Sequence, residues 1–116
     1  MLLWLLGRRT LSMRRFEVHA GEALIGWSRL EHVDSCMAVA FGSFEAAEAY
    51  AAVQESIIAT RDAGQSELQL SLRFKGVLMN CDGLYIADFS DVASIGGIEL
   101  TAFGIDTFAK AFVEDA

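Results

Sequence analysis

Between residues 67 and 75, Leu68, Leu70, Leu72 and Phe74 alternate with Glu67, Gln69, Ser71, Arg73 and Lys75. Successive side chains of an extended chain point to opposite faces, so this pattern predicts a half-buried strand. Residues 77–79 continue it past a bend at Gly76. Asn80-Cys81-Asp82-Gly83 then supplies the turn into a partner strand over 84–89, because Asp-Gly tolerates the positive φ of tight hairpins. Residues 90–97 read as a loop and 98–103 as a further strand. Asp106 is placed to cap a short helix that gathers Phe108, Ala111 and Phe112 on one side.

The first half reads in the same order. Residues 15–19 and 23–30 form a hairpin across Ala20-Gly21-Glu22, followed by a third strand over 36–42. Met37, Val39 and Phe41 give that strand a large face. Ala38, Ala40 and Gly42 give it a small one, which admits a helix or another backbone closely. Ser43 then caps a long helix running to about Asp62, with Glu45 and Glu48 near its positive end, Tyr50, Val53 and Ile57 on its buried stripe, and Gly64 at its stop. Val39-Ala40-Phe41-Gly42 is echoed by Thr101-Ala102-Phe103-Gly104, each leading toward an expected helix. The expected fold is therefore α+β: a meandering antiparallel β-sheet with one long and one short helix packed on it, and a βββα pseudo-repeat.

Composition adds a question of where the apolar surface goes. Hydrophobic residues make up 53 % of 116 positions, and adding the ten glycines gives roughly 60 %, above the usual 45–50 %. One small domain over residues 13–116 has limited interior, so a homo-oligomer is expected to cover the excess. Residues 1–12 read as an N-terminal extension, either flexible or packing on a neighbour. The apolar run 2–6 is too short to cross a bilayer, and its arginines follow it rather than precede it as in a secretory signal, so no membrane contact is expected. Two cysteines without a CxxC spacing fit a reducing, cytoplasmic setting.

Charge is unevenly placed. The first fifteen residues hold four arginines and no acid, leaving −11 on the remainder of a chain whose net charge is −7. Such a body repels phosphate backbones, which disfavours nucleic acid and suits a basic partner.

Candidate chemistry is sparse. His32, Asp34 and Cys36 alternate near a turn and would form a zinc corner with His19 or Cys81, but the paired ligand spacing of zinc sites is missing; a polar loop with a buried cysteine is expected, and no metal. Cys81 lacks an imidazole or helix N-terminus placed to activate it. Asp88, Asp91 and Glu99 would serve as acid and base if gathered at one sheet end, though loop acids are ordinarily solvated. Gly96-Gly97 lacks the strand-turn-helix setting and the lysine of a phosphate loop. No catalytic residue and no cofactor is assigned.

Trp27, between Gly26 and Ser28, is the residue best suited to wall a ligand cavity, with Tyr50, Tyr85 and Asp88 as co-liners; a core tryptophan is the plainer alternative. Together these features point to a non-enzymatic, self-associating protein that binds a protein or a small apolar ligand. Two other readings are a small enzyme with a pocket near Trp27 and an acidic inhibitor or immunity-type partner of a basic protein.

Overall fold

The computed structural model of the chain describes residues 14–60, 64–109 and 112; the expected extension over 1–12 lies outside them. Eight strands dominate: β1 (Phe16–Ala20), β2 (Ala23–Ser28), β3 (His32–Asp34), β4 (Val39–Ala46), β5 (Leu70–Phe74), β6 (Val77–Met79), β7 (Gly83–Asp88) and β8 (Ile98–Phe103). They form one antiparallel sheet in the order β6-β5-β1-β2-β4-β8-β7, with β3 added to β4, and the sheet curls into a half-barrel. The described helical structure is one α-helix, α1 (Gln54–Ala59), and 3-10 turns over Glu48–Ala52 and Ser66–Leu68. No described helix is long and apolar enough to cross a membrane.

This architecture overturns the expected α+β fold. Where a long helix was expected from Ser43, β4 continues to Ala46, because Gly42 and Ser43 pair with Leu100 and Glu99 of β8 while Phe44, Glu45 and Ala46 pair with β2. Phe44 points into the core and Glu45 outward, so the period of two persists beyond Gly42 and two flanking strands override a local capping signal. Helix forms only from Gln54, with Ile57 fully buried. Near the C-terminus Asp106 accepts a hydrogen bond from the Phe108 amide at 3.0 Å, but the segment from there through Ala109 is a turn, and Ala111 and the expected helix end lie outside the described residues.

The βββα repeat falls with the helices. The echoed tetrapeptides instead lie against each other across β4 and β8, Ala40 facing Ala102, Val39 facing Phe103 and Phe41 facing Thr101. Two other expectations change. Lys75 and Gly76 both have positive φ, 52° and 81°, and close a two-residue hairpin that turns β6 back onto β5 rather than extending it. The Asn80-Gly83 segment does not return β7 onto β6, and β7 pairs with β8.

The concave side of the sheet is filled. Phe16 packs its ring 5.1 Å from both Phe74 and Phe112, and Val18, Leu72, Ile86, Leu100 and Ala102 are fully buried beside it. The small face of β4 turns inward as well, and a side chain at Gly42 would overlap Glu31 and the Leu30 backbone. Gly26 is hemmed in by less yielding atoms, because a Cβ there would meet the buried Phe44 ring and the Glu45 carbonyl. Gly26→Ala is therefore expected to cost about 1–3 kcal/mol through overpacking, read as a lowered urea midpoint.

One edge of β4 serves two strands, β2 along its second half and β3 along its first. Between them the chain leaves the ladder at Leu30, which is buried and has φ 47°. Arg14 repairs the break. Its buried guanidinium donates to the Arg29 carbonyl at 2.9 Å, the Leu30 carbonyl at 3.0 Å and the Phe112 carbonyl at 3.2 Å, and lies over the Phe112 ring. Ser28 Oγ accepts the Leu30 amide at 3.1 Å.

Candidate functional site

The residues expected to share a cavity divide between the two faces of the sheet. Directly paired residues project to the same side, so the register assigns each one. Trp27 faces Glu17 and Glu45, and lies on the outward side beneath the Arg15 guanidinium, 4.2 Å from its ring centre. Arg15 also bridges to Glu45 at 3.1 Å. Tyr85 is on the outward side too, facing Thr101, which faces Phe41. Tyr50 and Asp88 are inside and touch.

Asp88 is fully buried at the end of β7, and each carboxylate oxygen has two donors. Oδ2 accepts from the Tyr50 hydroxyl at 2.6 Å and Gln54 Nε2 at 3.1 Å; Oδ1 accepts from the Ser90 amide at 2.8 Å and the Ser90 hydroxyl at 2.6 Å. Burial pushes the Asp88 carboxyl up, but the bonds from Ser90, Tyr50 and Gln54 outweigh it and hold the group below the usual carboxylate range. Burial, reinforced by Asp88, pushes the Tyr50 phenol far up. A carboxylate saturated in this way ties α1 and the 3-10 turn before it to the start of the β7–β8 loop and has no lone pair left for a substrate proton.

The other chemical candidates separate as well. Glu99 is outward, on the opposite side of the sheet from Asp88. Cys36 is exposed rather than buried. Burial pushes the Cys81 thiol up, Asp82 adds to this and the Gly83 amide opposes it; a raised thiol is a weak nucleophile at neutral pH. His32 stacks on Phe41 at 4.9 Å, and Asp34 accepts the Met37 amide at 3.2 Å. Among the described residues no three metal-ligating side chains are gathered.

The sheet edges differ in a way the sequence pattern does not disclose. On β7, the Gln65 carboxamide takes the place of a missing strand, donating to the Ile86 carbonyl and accepting from the Ile86 amide, both at 2.9 Å. Gln65 is itself buried. The short β3 edge carries His32 and Asp34. On β6 the exposed residues are Val77 and Leu78, 65 % and 57 % accessible, and β5 is the one described strand that pairs with it.

No family model matches this chain, and neither a curated protein nor a solved structure is significantly similar to it.

Proposed function

We propose that this protein is a non-enzymatic binding protein that self-associates by pairing the β6 edges of two copies. The observation that carries this reading is the contrast between edges: β7 is plugged by Gln65, whereas β6 presents apolar side chains and no guarding charge within the strand. Such an edge is a template for another strand. In a two-residue hairpin the residues flanking the turn bond each other, here Phe74 and Val77, so the Leu78 amide and carbonyl face away from β5.

An antiparallel copy related by a two-fold axis at Leu78 would exchange both of those bonds. The flanking charges fit this orientation. Lys75 precedes the strand and Asp82 follows it, both exposed, so a reversed copy brings Lys75 toward Asp82 of the partner subunit. A saturated Asp88 and a raised Cys81 thiol agree with a binding role rather than catalysis.

Sedimentation velocity tests the proposal. The full chain is expected to sediment at twice the mass of one chain, and Leu78→Pro as a single chain. Proline removes the outward amide but leaves the β5 pairing intact, so far-ultraviolet dichroism should not change. A wild-type monomer at micromolar concentration, or an undiminished dimer in Leu78→Pro, would overturn the reading.

A further inference from the structure

The outward side of the sheet carries a preformed hollow of about 360 Å³. Its floor is the row Ser43, Glu99 and Ala87 across β4, β8 and β7. The hollow exists because Ser43 and Ala87 are small, while the next row along, with Phe41 and Tyr85, is bulky. The β7–β8 loop forms the wall, presenting Phe89 and Ile95. That loop is held by bonds from Phe89 N to Gly97 O at 2.9 Å and from Gly96 N to Val92 O at 2.8 Å, and by the two bonds from Ser90 to Asp88. Gly96 and Gly97 have φ of 64° and 80°, and a side chain built at either would meet open space. Beyond Ser43 a second hollow of about 280 Å³ opens between Arg29, Glu31 and Glu45.

We infer that this hollow binds a small apolar amine, its hydrocarbon against Phe89 and Ile95 and its ammonium at Glu99. Glu99 is the carboxylate that lines this hollow, and it differs from Glu31 and Glu45 of the neighbouring one. Glu31 accepts the Ser43 amide and Glu45 is bridged by Arg15, whereas Glu99 has no hydrogen bond or ion pair among the described residues. Glu99 thus stands on the floor as the charge left for a ligand, in a chain of net charge −7 that favours cations. The volume lies at the low end for ligand sites, which restricts the ligand to a small molecule, and a loop already shaped by its own bonds needs little ordering on binding. This site is independent of the β6 edge.

The test is an amide-shift titration by nuclear magnetic resonance, using 3-phenylpropylamine, 3-phenylpropanol and 3-phenylpropanoate as probes. The amine should give saturable shifts at residues 43, 87, 89 and 95–99, with the alcohol weaker and the acid without effect. Glu99→Gln is expected to weaken the amine about five-fold, to the affinity of the alcohol, as fits one partly exposed ion pair. Ala87→Leu, which fills the floor from the outward face, should abolish amine binding. Equal binding of amine and acid, shifts centred elsewhere, no saturable amine binding, or wild-type affinity in a folded Ala87→Leu variant would overturn the assignment.

Discussion

Asp88→Ala is expected to lose about 3–4 kcal/mol of folding free energy, measured as a fall in the urea midpoint with little change in slope. The variant strands the Ser90 amide, the Tyr50 hydroxyl and the Gln54 carboxamide at a site the native carboxylate fills completely. Asp88→Asn should cost less, about 1–2 kcal/mol, because the Tyr50 hydroxyl and the Gln54 amide can reverse their roles while the Ser90 amide cannot. The pH dependence tests the same assignment. Asp88 titrates below the ordinary carboxylate value when folded, so the unfolded chain takes up this proton first. Its stabilisation is complete above the unfolded value of about 4 and is lost as the pH falls from there through the folded one. The wild-type advantage over Asp88→Asn should accordingly be constant near neutrality and shrink below about pH 4. An advantage that grows on acidification would contradict the role given to this carboxylate.

The second large effect is expected at Arg14. Arg14→Met keeps an apolar stem over Phe112 but leaves the carbonyls of Arg29, Leu30 and Phe112 without the guanidinium, at a cost of about 2–4 kcal/mol in chemical denaturation. Lysine has the charge without the planar fork, so Arg14→Lys should recover only part of the loss. Full recovery by lysine would show that charge, rather than the three directed bonds, is what matters at this position.

What could be read from the sequence was the strand pattern. Of the alternation over 67–75, Leu70, Leu72 and Phe74 against Ser71 and Arg73 give the inward and outward sides of β5, whereas Ser66–Leu68 forms a 3-10 turn and Gln69 and Lys75 take positive φ, so the strand is shorter at both ends than the pattern implies. The hairpin at Gly21 falls between β1 and β2. The helix expected from Ser43 failed because capping chemistry is local, whereas the partners that hold β4 extended come from residues 26–28 and 98–103. Inward and outward assignment likewise depends on which strand pairs with which. Trp27 and Asp88 therefore look equally suited to a cavity in one dimension and occupy opposite sides in three.

In the sequence Arg14 is only one of four early arginines, because nothing nearby announces that Leu30 leaves the ladder with positive φ. Gln65 carried no signal either, since a lone glutamine after Gly64 gives no hint that its amide will mimic a strand. On the floor of the hollow, Glu99 stands out in the sequence as an acid, but its small neighbours Ser43 and Ala87 belong to other strands and become neighbours only through the register.

The Gln65 plug bears on the stoichiometry of the proposed assembly. A molecule with two adhesive rims can add copies without end and grow into a fibre, whereas one adhesive rim is used up when a second copy docks. With the Ile86 amide and carbonyl already taken by the Gln65 carboxamide, the β7 edge offers no ladder bond at that residue, so a pair joined through β6, as proposed, would not be extended from there.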